Sequence, residues 1–198
     1  MERLIRDWRI VRNFLALARQ HPFERQLTRL NQIVQEAVEL LAYPLRVDNV
    51  EVHLDLADDL PKLWADPHQL HQVIVNLITN ARHAMHGSTS ARQLTIRTRF
   101  KAADSRVLLE VADTGPDIPP GGPGRHIFEP FFTTKPVGQG TGLGLPLCQG
   151  IVEGHGGTIQ VDSRLGEGAV LTIDLPVIAP PIGETTRAPA GHPGSGGG

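Results

Sequence analysis

The sequence predicts an α/β fold in which one sheet is covered by one layer of helices, a two-layer sandwich. Three observations lead there. Three stretches, near 30–41, 66–84 and 142–153, space their apolar residues at helical intervals. Five shorter runs, near 50–56, 94–100, 107–112, 159–162 and 169–175, read as strands. A chain of 198 residues with 40% hydrophobic content is enough for one domain with a real core plus appendages.

The elements are justified in order. Residues 2–19 read as a helix, because Leu4, Trp8, Val11, Leu15 and Ala18 alternate four and three apart, the spacing of a coiled-coil seam. Ile5, Ile10 and Phe14 add apolar surface. So short and apolar a helix needs a partner, either the main domain or another helix, which makes residues 2–19 a possible homodimer contact. His21-Pro22 breaks the pattern. The helix near 30–41 carries Ile33, Val34, Ala37, Val38, Leu40 and Leu41. Residues 50–56 alternate as a strand. Asp66-Pro67 opens the next helix, with Asp66 as cap and proline in the first turn. Leu70, Val73, Ile74, Leu77, Ile78, Ala81 and Ala84 form its apolar face.

Residues 87–91 are a polar loop, and the runs 94–100 and 107–112 are expected to pair. Residues 114–141 are a long loop rich in glycine and proline, which inside a compact domain points to a functional lid. The last helix tolerates Pro146 because it falls in the first turn, and residues 154–157 end it. From Pro180 onward the chain is Pro, Gly and Ala without periodicity, the composition of a disordered tail. The boundaries are therefore 1–24, 25–179 and 180–198.

Composition excludes several classes. A net charge of −2 gives no nucleic-acid footprint. A lone cysteine excludes an intramolecular disulfide, and Cys148 reads as an inert core residue. No apolar run reaches the roughly 18 residues of a membrane span, and no signal peptide is apparent, so a cytoplasmic location without membrane contact is expected. Nine histidines invite a metal reading, and the pairs His68/His71 and His83/His86 are each three apart. No cysteines or clustered carboxylates complete a zinc tetrahedron beside them, so that reading is set aside. His155 precedes two glycines and is expected to cap or pack against a helix end.

Four segments carry the chemistry. Asn76 and Asn80 lie four apart, on one face of a core-forming helix. Asp113-Thr114-Gly115-Pro116 follows an apolar strand, where a carboxylate beside glycine can accept from an exocyclic amine. Ile127-Phe128-Glu129-Pro130-Phe131-Phe132-Thr133-Thr134-Lys135 is an aromatic patch inside a loop. Gly138-Gln139-Gly140-Thr141-Gly142-Leu143-Gly144-Leu145 is a glycine loop running straight into a helix, whose first amides suit phosphate. Each alone has a plain structural reading, as solvent-facing amides, a turn, a loop or a linker.

Together, in this order, they resemble the catalytic, ATP-binding domain of a sensor histidine kinase over roughly residues 25–178. The segments are similar to that family's asparagine, first glycine, aromatic and second glycine boxes. Gly166-Glu167-Gly168 resembles a weaker final glycine element. The resemblance implies a mixed sheet backed by three helices, with ATP and Mg2+ between the asparagine helix and the lid. It makes Asn80 the magnesium ligand, with Asn76 supporting it, and places His83 near the phosphates. Asp113 becomes the adenine-reading carboxylate, and Gly115 lets the ring approach. Ile118, Phe131, Phe132 and Thr133 fall on the lid side, and Lys135 reaches the phosphates on closure. Gly140, Thr141, Gly142, Leu143, Gly144 and Leu145 form the phosphate side.

The same resemblance implies transfer of the γ-phosphate to a histidine of a dimerisation domain, and a downstream response regulator. In the family the acceptor histidine precedes an acidic residue, and none of the nine histidines here does. Residues 2–19 then resemble the end of a dimerisation helix, and the acceptor is expected outside this chain. Related ATPases of the gyrase and heat-shock chaperone type commonly carry a glutamate where Asn76 stands. An amide is no general base, which favours transfer over hydrolysis. The second reading is a nucleotide-binding regulatory module without transfer. Two departures stand out: Asp117 replaces a usual glycine near the lid hinge, and Ala169 and Leu171 replace a common Thr and Phe, a packing change.

Overall fold

A computed structural model describes residues 24–87, 91–116, 127–132, 141–164 and 168–179. The expected helix at 2–19, most of the lid and the tail beyond 180 lie outside the described residues. The element order is β1 (Gln26–Thr28), α1 (Leu30–Leu40), α2 (Ala42–Val47), β2 (Val50–Leu56), β3 (Leu63–Ala65), α3 (Pro67–Ala84), β4 (Arg92–Lys101), β5 (Arg106–Asp113), α4 (Gly144–Gly154), β6 (Thr158–Arg164) and β7 (Gly168–Pro176). A single 3-10 turn, Ala102–Asp104, joins β4 to β5.

The main sheet has five strands in the order β2-β4-β5-β7-β6. Its mixed character follows from its connections. β4 and β5 are joined by a short turn and pair antiparallel, as do β5 with β7 and β6 with β7. β2 and β4 pair in parallel, which requires a long crossover, and α3 lies within it. Alternation along the strands sends one set of side chains to the core: Leu94 and Ile96 on β4, Val107, Leu109 and Val111 on β5, and Leu171, Ile173 and Leu175 on β7.

Three long helices form the second layer, and α3 packs between α1 and α4 and onto the sheet. Its position explains its sequence, since Leu70, Val73, Ile74, Leu77, Ile78 and Ala81 are all buried. Asp66 caps it as expected, accepting from the backbone N–H groups of His68 at 2.9 Å and Gln69 at 3.1 Å.

Two features were not legible in the pattern. The six-residue helix α2 holds Pro44 and buries only Leu45, so it carries no amphipathic signal. The three-residue strands β1 and β3 pair antiparallel and are too short to show alternation.

His155 behaves as the sequence suggests and does more. It is the C-cap residue of α4 and is buried. Burial lowers its pKa, so the ring stays neutral. Its Nε2 accepts from the Asp66 backbone N–H at 3.0 Å, and its Nδ1 donates to the Ile151 carbonyl at 2.8 Å. One imidazole thus ties the end of α4 to the start of α3. His155→Leu is expected to strand a buried N–H and destabilise the domain by about 1–3 kcal/mol. A denaturant titration checks this, and an unchanged midpoint would contradict it.

Candidate nucleotide-binding site

The site is assembled at the C-terminal half of α3, the end of β5 and the start of α4. Asn80 is half-buried on α3. A Cβ placed on Gly144, the first residue of α4, would stand 3.9 Å from the Asn80 side-chain nitrogen. The two boxes therefore meet in space, although 64 residues separate them in sequence. Leu143, the N-cap of α4, gives no side-chain cap, and Pro146 has no N–H, so the first turn offers the Gly144 and Leu145 N–H groups to an anion. The Leu143 N–H has only a long contact of 3.4 Å with the Thr141 hydroxyl.

Asn76, one turn before Asn80, has a different neighbour. That neighbour is Cys148 of α4, whose thiol is pushed up to about 12 by burial and donates to the Val73 carbonyl of α3 at 3.9 Å. The contact between Cys148 and Val73 links α4 to α3. Cys148 is a fully buried, un-ionised core residue, as its sequence context suggests.

Asp113 ends β5 on the core-facing side and is only 4% exposed. Its Oδ1 accepts from the Gly115 N–H at 2.9 Å. Burial raises its pKa to about 6, and that one backbone bond offsets little of the penalty. A buried carboxylate with unfilled acceptor capacity is suited to a neutral N–H donor from a ligand. Gly115 must be glycine for space: a Cβ there would lie 2.7 Å from Asp113 Oδ1 and 3.0 Å from the Ala84 Cβ of α3.

Residues 127–132 are a piece of the aromatic segment. The Phe131 N–H donates to the Gly142 carbonyl at 2.9 Å. Gly142 has φ +62°, and a Cβ there would come 2.4 Å from the Phe131 carbonyl carbon. Positive φ and this close approach together require glycine. The apolar foot of the segment is Phe128, which packs against the core, whereas Phe131 is 50% exposed. Phe132 is half-buried and its N–H donates to the Glu129 carbonyl at 3.2 Å.

Of the remaining site residues, His83 is exposed at the end of α3, 3.1 Å from an Arg82 guanidinium nitrogen. Thr141 is exposed, and Leu145 is half-buried against the core. Ile118, Thr133, Lys135 and Gly140 lie outside the described residues, as does Asp117. The structure thus sets Gly144 beside Asn80, Gly115 beside Asp113 and Ala84 of α3, and Gly142 against Phe131. Among the described residues no three metal-binding side chains cluster, and no helix is long and apolar enough to cross a membrane.

The chain is similar to known proteins in sequence and fold. Residues 65–179 fit the family described as histidine kinase-, DNA gyrase B- and HSP90-like ATPase, and the chain belongs to that family. Within it, the sensor histidine kinase ZraS of Salmonella typhimurium is 39% identical over 172 residues, covering 86% of this chain. The chain spans 35% of ZraS, about a third of that relative's length. The catalytic domain of histidine kinase ThkA superposes with a TM-score of 0.68 at 32% identity, covering 78% of this chain and 96% of that domain. ThkA in complex with the response regulator protein TrrA superposes with a TM-score of 0.69 at 26% identity, covering 89% of this chain and 49% of ThkA. The two-layer fold with its mixed sheet is that of a histidine kinase catalytic domain.

Proposed function

We propose that this chain binds ATP and transfers its γ-phosphate to a histidine carried by a dimerisation domain, as the catalytic domain of a sensor histidine kinase. The observation that carries this is the buried Asp113 carboxylate, open to a neutral donor beside the bare α-carbon of Gly115. In this reading Asp113 accepts from the adenine amine. The uncapped amides of α4 and the Gly142–Gly144 backbone receive the phosphates. The donor set also fits Mg2+: the Asn80 side chain, whose amide nitrogen lies beside the start of α4, also carries a hard amide oxygen. When bound there, the ion would neutralise phosphate charge.

What the chain's own residues do is orient the triphosphate and exclude water. A neutral imidazole nitrogen of the partner attacks phosphorus, a P–N bond forms, and the bond to the ADP oxygen breaks. Asn76 carries an amide, which cannot take a proton from water, and this supports transfer over hydrolysis. Lys135 and His83 serve the phosphates in the same reading, with Ile118, Phe132 and Thr133 on the lid side. The dimerisation domain and a response regulator are the protein partners, residues 2–19 the route to a homodimer, and the cytoplasm the location.

Incubation of the chain with γ-labelled ATP and the dimerisation domain of its parent protein tests the proposal. Label on a histidine of that domain is expected. Nucleotide binding without label would instead make the chain a regulatory module.

A pH profile tests the carboxylate separately. The ionised Asp113 accepts far more strongly than the protonated acid, and its pKa is about 6. ATP affinity is therefore expected to be level above about pH 7 and about tenfold weaker at pH 5. Affinity that stays constant from pH 7.5 to 5 in calorimetry would contradict the adenine role.

A further inference from the structure

The position of Asp113 is set by its main chain, and two contacts fix that main chain from opposite sides. Asp113 pairs with Leu94 of β4 on one side and with Ala169 of β7 on the other. On the β7 side, Gly168 lies directly against it. A Cβ placed on Gly168 would stand 1.9 Å from the Asp113 carbonyl oxygen and 3.0 Å from the Thr114 Cα. Gly168 also has φ +84°, so both its space and its conformation exclude a side chain.

On the β4 side, Thr114 acts as a peg. Its N–H donates to the Gln93 carbonyl at 3.2 Å, and its hydroxyl accepts from the Gln93 N–H at 2.9 Å. The same hydroxyl donates to the Ala91 carbonyl at 2.7 Å. Peptide 113–114 is thus wedged between a bare α-carbon and a doubly bonded hydroxyl.

We infer that Gly168 and Thr114 are positioning residues for base recognition: together they fix where the Asp113 carboxylate stands, and so how well the site prefers adenine. This rests on the reading that Asp113 receives the adenine amine. A hydrogen bond to a buried carboxylate depends on distances of a few tenths of an ångström. A contact of 1.9 Å cannot persist, so a methyl on Gly168 must displace the Asp113 peptide. A purely structural role would lower stability without touching the choice of base.

The test measures ATP and GTP dissociation constants by calorimetry for the parent chain, Gly168→Ala, Thr114→Val, Thr114→Ser and Asp113→Asn. Thr114→Val keeps the shape and loses both hydroxyl bonds. The preference for ATP over GTP is expected to fall about tenfold in Thr114→Val and Gly168→Ala, through weaker ATP binding, and to recover in Thr114→Ser. An unchanged preference in Thr114→Val, whatever its melting temperature, would overturn the inference. Should Gly168→Ala fail to fold, the valine and serine pair at 114 decides alone. If Asp113→Asn itself leaves ATP affinity unchanged, the reading beneath the inference fails, and that result is distinct from the first.

Discussion

Asp113→Asn is expected to give a domain that melts at a higher temperature and binds ATP more weakly. The two effects share one cause. The native carboxyl holds its proton more tightly than an unfolded one, its pKa being raised from 3.8 to about 6. Ionisation therefore works against the fold. That cost is absent below about pH 4, grows as pH rises through about 6, and is then constant at about 3 kcal/mol at most. Asparagine removes the charge and keeps an oxygen for the Gly115 N–H. The nucleotide-free variant should gain about 5 °C or more in melting temperature at pH 7.5, and the gain should vanish near pH 4.

In the same variant the acceptor loses its charge, and ATP should weaken about 10- to 100-fold, from loss of about 1.5–3 kcal/mol. GTP should weaken less, because guanine presents a carbonyl at that position. Calorimetry and melting scans of one preparation read both effects. Equal ATP affinity in parent and variant would refute the adenine assignment. A lower melting temperature at pH 7.5 would show that the carboxylate is held by more than Gly115.

Asn80→Ala is expected to leave the fold intact and to reduce phosphate transfer by at least about 100-fold. Asn80 is half-buried on α3, and Ile74 and Ile78 hold the far side of the helix in the core. Alanine is the better helix former by a few tenths of a kcal/mol, so the melting temperature should hold or rise slightly. What is lost is a hard oxygen beside the start of α4. Nucleotide binding should lose its dependence on added magnesium, which a titration with and without the ion reads directly. Magnesium-dependent transfer at the parent rate would remove Asn80 from the site. A collapse of the nucleotide-free fold would make it a structural residue instead.

These predictions divide the molecule into what is local and what is not. The long elements were legible because their signals are local. The apolar face of α3 repeats at helical spacing, Asp66-Pro67 announces its start, and β2 alternates over Val50–Leu56. The candidate site residues stood out through motif order, since Asp-Thr-Gly after a strand and a glycine loop before a helix are each short-range patterns. By contrast, β1, β3 and α2 have too few residues to carry a period, and their existence rests on neighbours distant in sequence. The aromatic segment packs on the core through Phe128 while Phe131 stays 50% exposed, a choice set by tertiary contacts and not by the run of aromatic residues.

The sequence by itself determined the class of fold, the family it resembles and the residue types offered to a nucleotide. Only the tertiary structure decided how those residues are tuned. Asp113 has a raised pKa because β4 and β7 close over it and supply no cation, and no sequence spacing records that enclosure. Asn76 meets Cys148 and Asn80 meets Gly144 because α3 and α4 lie side by side, a relation set by packing. Gly168 reads in sequence only as part of a weaker final glycine element, and acquires its importance from the backbone carbonyl that the sheet register places against it. Chain order fixes which groups exist. Desolvation and close contact, which depend on atoms far away in sequence, fix what those groups can do.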